Sequence, residues 1–455
     1  MKKVRGVWVT NVASNVLDSE NNIKKAMQLL AKTGFNVIFP VVWNKGFTLY
    51  KSEVMERNFG SDFKIDLKYT GRDPLQEVIN AAKEVGLKVI PWFEYGFAAS
   101  YVEITMNPAE GMQEFGKHIL EQKPEFSAVD HSGNELIKPS LVRHSDPEKR
   151  NLQGFKWMNA LKPEVQDFML ELILEVAKKY DVDGIQGDDR LPAFPVEGFD
   201  QAVANNFSGI GSRPSHTNRD WMQFRADILT KYLKRIKDEV KAVGLSKGKE
   251  LIVSMAPHPR NHGFNTALQD TKKWLKNGLV DMSHPQLYRQ DFDKYKELSN
   301  NEIVGQGFTN DELAKISPGI LMKLGDFRIN SDLLEKVIKH NKSLGINGVV
   351  FFFFEGLRIP DNKVAQVLRN DIYALNSLDD EGPDVKKIQQ LLKDKGFDVP
   401  TNGVFDADTK AAVEAFQIAQ GFADRDIDGI VGPQTLEKLG INSLIALGEM
   451  PLPVG

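Results

Sequence analysis

Over the first 370 residues, short apolar runs alternate with amphipathic stretches, and this alternation limits the possible folds more than any other property of the chain. Strands are expected at residues 4–9, 36–42, 87–93, 182–186, 251–255, 279–282, 316–321 and 348–354. Helices are expected over 22–32, 74–85, 163–179, 221–240, 333–343 and 362–368, because apolar residues such as Phe168, Leu172 and Val176 recur at three-and-four spacing. Eight strands, each followed by a helix, close most simply into a (β/α)8 TIM barrel of the α/β class. An open doubly wound sheet would need a glycine-rich phosphate turn after its first strand, and VWVTNVASNV supplies none.

Two strand-to-helix connections are much longer than the usual handful of residues. Residues 94–162 carry Trp157, His118, His131 and His144, and residues 189–218 carry Phe194, Phe199, Phe207 and His216. Both belong on the C-terminal face, where barrel enzymes assemble their active sites.

The charge balance, 58 Lys+Arg against 62 Asp+Glu for a net charge of -4, lacks the basic excess that a nucleic-acid partner requires. The chain has no cysteine, which excludes disulfides, thiolate metal sites and cysteine nucleophiles. No apolar run is long enough to span a membrane. The opening MKKVRGVWVT has no apolar signal core, so either a signal has been removed or none was present.

Residues 371–383 are rich in turn formers and acids and are expected to form a linker. A compact helical domain follows over 384–441, then a loose tail over 442–455. Within the domain, NGVFDADTKAAV at Asn402 echoes DGIVGPQTLEKL at Asp428, each a turn, a cap and a helix start. Together with Val385, Ile388, Leu391, Leu392, Gly396, Thr409, Val413, Phe416, Gln417, Thr435 and Leu436, this pattern resembles the three-helix peptidoglycan-binding domain of bacterial wall hydrolases. The resemblance implies wall peptide or glycan as the partner.

The barrel segment resembles the glycosyl-hydrolase-like-10 family through RGVWVTNVASNVL, GFNVIFPVVWNKG, GLKVIPWFEYGF and VDGIQGDDR. The resemblance covers roughly residues 4–370 and implies a carbohydrate hydrolase, including enzymes that act on peptidoglycan glycan. Arg190, Leu191 and Pro192 follow the two aspartates where relatives tend to carry aromatics. The spacing from Asp183 to Asp188 also resembles the fourth-strand motif of α-amylase-like barrels, which implies a nucleophilic role for Asp188.

Period-two alternation around Ile185 sends Gln186 and Asp188 towards the barrel axis. Glycoside cleavage needs a second carboxyl across the scissile bond. Glu94 ends the third strand, Glu355 ends the eighth, and Asp189 adjoins Asp188, so all three are candidate partners. Trp8, Trp43, Trp92, Tyr95 and Tyr288 are candidate sugar platforms, with Arg5, Asn11, Asn44, Gln186, His258, His284 and Gln286 as polar substrate contacts. Lys323 has no phosphate-binding turn near it and reads as an ion-paired or exposed lysine. No His-x-His marks the first strand, so neither a metal nor another cofactor is expected. The resulting expectation is a glycoside hydrolase of peptidoglycan glycan or a related polysaccharide, the alternative being a barrel that binds wall carbohydrate without cutting it.

Overall fold

The computed structural model describes residues 4–103, 118–139, 153–346, 348–358, 363–368, 381–424, 427–431 and 433–441. His144, most of the expected linker and the tail from residue 442 lie outside the described residues. Each of the eight expected strands has a counterpart: β1 (Arg5–Val9), β2 (Val37–Pro40), β3 (Lys88–Val89), β4 (Gly184–Gly187), β5 (Ile252–Met255), β6 (Met282–Ser283), β7 (Gly319–Leu321) and β8 (Val349–Phe352). The fold is α/β of the (β/α)8 class, followed by a helical C-terminal module.

Residues gather into two compact units. The first comprises Met1–Pro40, Glu77–Val89 and Leu287–Gly455. Its strands run in the order β7-β8-β1-β2-β3, each parallel to its neighbour. All five residues of β1 are buried, as expected of a parallel strand covered on both faces. Helix α1 (Glu20–Thr33) starts where the Ser19 side chain accepts the Asn22 N–H, and it ends at Gly34, whose φ of 93° suits glycine.

The second unit comprises Val41–Gln76 and Ile90–Gln286. Here β4, β5 and β6 form a parallel ladder, and Trp92 bridges both Val41 and Gln186 in parallel pairing. The expected third strand, 87–93, is interrupted rather than continuous. Pro91 has no N–H to give a ladder, so regular pairing stops at Val89 and resumes at Trp92. Helix α2 (Pro163–Lys179) starts with proline in its first turn and buries Val165, Phe168, Leu172 and Val176, the expected apolar face.

The long connection after β3 holds a feature that periodicity did not suggest. Ala98–Glu103, Ile137–Pro139 and Gln153–Trp157 form a three-stranded antiparallel sheet. The connection after β4 contains a helix over Gln201–Ser208, capped by Asp200. Buried Arg225 donates to the carbonyls of Val196 and Gly198 at 2.8 and 2.7 Å, which holds this connection in place.

The C-terminal module packs α3 (Pro383–Asp394), α4 (Ala407–Ala419) and α5 (Pro433–Leu439) around Ile388, Leu392, Phe405, Val413, Phe416 and Leu436. The sequence echo has a physical counterpart in two buried glutamines. Gln389 Nε2 donates to Asn402 Oδ1, the Val404 carbonyl and Thr409 Oγ1, while its Oε1 accepts the Gly403 N–H. Gln417 repeats this with Asp428 Oδ1, the Ile430 carbonyl and Thr435 Oγ1, and its Oε1 accepts the N–H groups of Asp428 and Gly429. Each amide therefore pins the turn that precedes the next helix.

Gln389→Met keeps the side-chain length but leaves buried donors and acceptors unmet, so the module should lose about 2–3 kcal/mol. Hydrogen exchange across residues 381–441 of the whole protein would reveal this as faster exchange. Unchanged protection would show that the amide is dispensable.

Candidate active site

Strand β4 ends in a glycine for a steric reason. A Cβ on Gly187 would lie 2.3 Å from the Leu191 carbonyl oxygen and 2.7 Å from Met255 Sδ, because the chain turns back on itself just beyond. The two carboxyls that follow are therefore in a turn, not in the strand, and strict in-out alternation lapses at Gly187. Asp188 is 1% exposed, and the Asp189 side chain is 14% exposed.

One guanidinium serves both. Arg190 Nη1 lies 3.0 Å from Asp189 Oδ1 and 3.7 Å from Asp188 Oδ2, and it donates to the Glu94 carbonyl at 3.3 Å. The Arg190 N–H also donates to Asp188 Oδ1 at 2.8 Å. The guanidinium lies over the rings of Tyr95 and Phe155, 5.3 and 4.9 Å from their centroids.

Burial, and then the adjacent Asp189 charge, push the Asp188 carboxyl well above the usual range, despite Arg190. Burial would raise Asp189 too, but Arg190 and then His258 outweigh it and hold that carboxyl below its usual range. The pair is therefore split into a proton carrier and an anion. His258 Nε2 stands 3.5 Å from Asp189 Oδ2, and burial pushes the imidazole down, which favours its neutral form.

Other expected residues converge on the same strand ends. Asn44 Nδ2 donates to Glu94 Oε2 at 2.7 Å. Gln186 is buried and donates to Ser254 Oγ at 2.9 Å across the β4–β5 pair. The Gln286 side chain donates to the Ala256 carbonyl at 3.0 Å and helps to hold the Asp189 carboxyl low. His284 is fully buried. Gln269, absent from the sequence reading, accepts the His258 N–H and donates to the carbonyls of Asp188 and Pro192, bracing the turn from behind. Among the described residues, no group of three or more His, Asp or Glu is arranged to hold a metal ion.

The aromatic candidates divide. Trp43 is buried, donates Nε1–H to the Gly96 carbonyl at 2.8 Å and meets Phe168 edge-on, so it fills the core beneath the site. Trp92 is also buried, within the β4 ladder. Tyr95 backs Arg190. In the first unit, buried Trp8 contacts Phe39, Tyr288 and Phe352, and Tyr288 stacks on Phe352 at 5.0 Å. Tyr288 and Phe352 are half-buried. Phe352 lies in a run of four phenylalanines whose sequence gives no sign of which one is least buried.

Glu355, also in the first unit, accepts from Ser14 Oγ at 2.8 Å and from Arg358 Nη1 at 3.2 Å. Asn11 follows β1 and is half-buried. The Lys323 ammonium lies over the Phe353 ring, 5.7 Å from its centroid. Arg5, expected at the substrate, lies at the opposite end of β1 from Asn11. Its guanidinium donates to the Gly34 carbonyl at 2.6 Å and to the Glu381 carbonyl.

Comparison with known proteins follows the same division of the chain. The family model described as "Glycosyl hydrolase-like 10" matches residues 3–304, and that of the "Putative peptidoglycan binding domain" matches residues 381–439. Among curated relatives, "Glycosyl hydrolase DigH" of Escherichia coli (strain K12) is 25% identical over 398 residues, covering 80% of this chain and 82% of the relative. "Glycosyl hydrolase YngK" of Bacillus subtilis (strain 168) is 22% identical over 314 residues, covering 63% of this chain and 54% of the relative. The PgaB (BpsB) glycoside hydrolase domain from Bordetella bronchiseptica superposes with a TM-score of 0.53 at 12% identity, covering 82% of this chain and 100% of that one. The likeness to that solved structure is one of fold.

A raised Asp188 has a consequence for stability. The folded chain holds the Asp188 proton at pH values where the unfolded chain, titrating near pH 4, has lost it. The folded state then binds more protons, so stability declines as pH climbs from about 4 through the folded-state value. Asp189 contributes in the opposite sense, and its contribution is lost only as pH falls through its lowered value. Asp188→Asn removes the first effect, so the variant should gain on the parent as pH rises, by at most about 1.4 kcal/mol per pH unit. Chemical denaturation between about pH 4 and pH 8 measures the gap. A gap that stays flat or narrows would refute a protonated Asp188.

Proposed function

The chain belongs to the glycosyl hydrolase-like 10 family, and from that premise we propose that it hydrolyses glycosidic bonds in the glycan of bacterial peptidoglycan, outside the cytoplasm. The observation that carries the reading is the pair of adjacent carboxyls at the end of β4, pushed in opposite directions by their surroundings. Cleavage of a glycosidic bond needs one carboxylate to stabilise or attack the anomeric carbon and another carboxyl to move a proton. The C-terminal module, with its peptidoglycan-binding family match, supports wall polymer as the substrate.

Asp189 takes the anionic role, because it is the ionised and more exposed member of the pair. Asp188, almost wholly buried, is a positioning residue beside Asp189 whose carboxyl is pushed towards its protonated form. Glu94 is the first choice of acid/base. Asn44 fixes its carboxylate, and Arg190 binds its main-chain carbonyl, so the ends of the third and fourth strands are held together. Glu355, the other expected candidate, lies in the first unit, and its Oε1 is taken by Ser14 and Arg358.

Asp189→Asn and Glu94→Gln should each lower release of reducing ends from peptidoglycan or peptide-free glycan roughly a thousandfold. Asp188→Asn keeps the side chain's shape and an oxygen for the Arg190 N–H, and should lose only about tenfold. Mass spectrometry of the fragments separates sugar cleavage from peptide cleavage. If the Asp188 variant is the dead one and the Asp189 variant active, the two roles are reversed. A parent protein that sediments with wall material yet releases no ends would be a binding protein.

A further inference from the structure

The three-stranded sheet carried on the connection after β3 meets the paired aspartates at one point. Its middle strand, Gln153–Trp157, pairs with Ala98–Glu103 on one side and Ile137–Pro139 on the other. Phe155 lies opposite both Tyr101 and Lys138, so its main chain has little freedom. Side chains alternate along a strand, and the next residue, Lys156, pairs with Glu135 at 2.9 Å on the other face. The half-buried Phe155 ring lies 4.9 Å from the Arg190 guanidinium and 5.5 Å from the Tyr95 ring, at 67° to it.

Arg190 requires such a support. Among the described residues, its guanidinium makes its hydrogen bonds through Nη1, to Asp189 Oδ1 and the Glu94 carbonyl. A planar group held at one nitrogen still turns about that point, so its faces must be fixed by something else. The main chain is already tied down. The Phe97 N–H donates to the Arg190 carbonyl at 3.0 Å, and the Met158 N–H donates to the Phe97 carbonyl at 2.7 Å, just past the same middle strand. Tyr95 follows Glu94 directly in the chain, whereas Phe155 reaches Arg190 from a separate element.

We propose that Phe155 is a positioning residue, whose ring holds the Arg190 guanidinium in the orientation that serves Asp189 and the Glu94 carbonyl together. An aromatic face attracts a cation without taking its N–H groups, whereas a carboxylate in the same place would draw Arg190 away from Asp189. The charged and titratable groups facing this point are Asp188, Asp189, Glu94 and Tyr95 around Arg190, and His258 beside Asp189. All of them remain when Phe155 is changed. Burial raises the Asp189 carboxyl and Arg190 is the main force against it, so with the ring gone the carboxyl moves up towards its usual range. That Asp189 acts on a sugar rests on the function proposed above, while the hold on Arg190 does not.

Phe155→Leu keeps apolar bulk without the ring, and Phe155→Met is a second ringless variant. In the whole protein, NMR of isotope-labelled aspartate carboxyls, with Asp189→Asn identifying the signal, should show Asp189 titrating about half a pH unit higher in these variants. The acid limb of reducing-end release from peptide-free glycan should move with it, through kcat more than KM, and Phe155→Tyr should restore both. An unmoved Asp189 titration in a folded ringless variant, or a Tyr variant that stays shifted, would overturn the proposal. So would a loss of cleavage by one factor at every pH with Asp189 unmoved, which is the mark of a packing residue. If the signal moves but the acid limb does not, the hold on Arg190 stands and the role given to Asp189 falls. If the signal moves in a protein whose parent releases no ends, the hold stands and the hydrolase reading falls.

Discussion

The strand ends depend on one cation. Burying Asp188 and Asp189 side by side would be prohibitive without compensation, and Arg190 provides it from the next position in the chain. A lysine would supply the charge but not the shape. The planar guanidinium lies over Tyr95 and Phe155 while its N–H groups reach Asp189 and the Glu94 carbonyl, so it also fixes where the third strand ends relative to the fourth. Gly96 completes that join, since a Cβ there would lie 2.3 Å from the Arg190 carbonyl oxygen. Charge, stacking and steric fit therefore act on a single turn.

Much of this architecture was legible from periodicity. The eight strands emerge from apolar runs because parallel strands covered on both faces must be apolar throughout. What periodicity could not resolve were the places where local chemistry overrides it. Pro91 breaks the third ladder, and Gly187 ends the fourth. Alternation places Asp188 towards the axis, yet beyond Gly187 the turn buries Asp188 and leaves Asp189 as the more exposed group. A one-residue difference of this kind depends on where a strand stops, which side-chain period does not encode.

Long side chains were the other blind spot. Arg5 stands in a motif shared with a carbohydrate-hydrolase family, but as the first residue of β1 its reach is towards the N-terminal end, where main-chain carbonyls await it. Trp43 looks like a sugar platform in sequence and is a core residue in three dimensions. The module repeats the lesson. Its duplicated turn-and-cap pattern could be read directly, whereas Gln389 and Gln417, which hold each turn from the preceding helix, are set apart from the turns they serve by 13 and 11 positions.

The seam between β1 and the start of the C-terminal module also constrains how the two functions in one chain cooperate. Arg5 meets Glu381 at one end of β1, and Asn11 and Ser14, the latter bonded to Glu355, follow the other end. Five strand residues at about 3.3 Å each place roughly 17 Å between those ends. The module seam and Glu355 are therefore separate places on the chain. On the proposed reading, the module acts by raising the local concentration of polymer, while subsite specificity stays with the strand-end residues. On the same reading, a fixed seam would keep that gain, because a module swinging freely would spread the captured strand over a larger volume. Arg5, buried, donates to carbonyls on both sides of the seam.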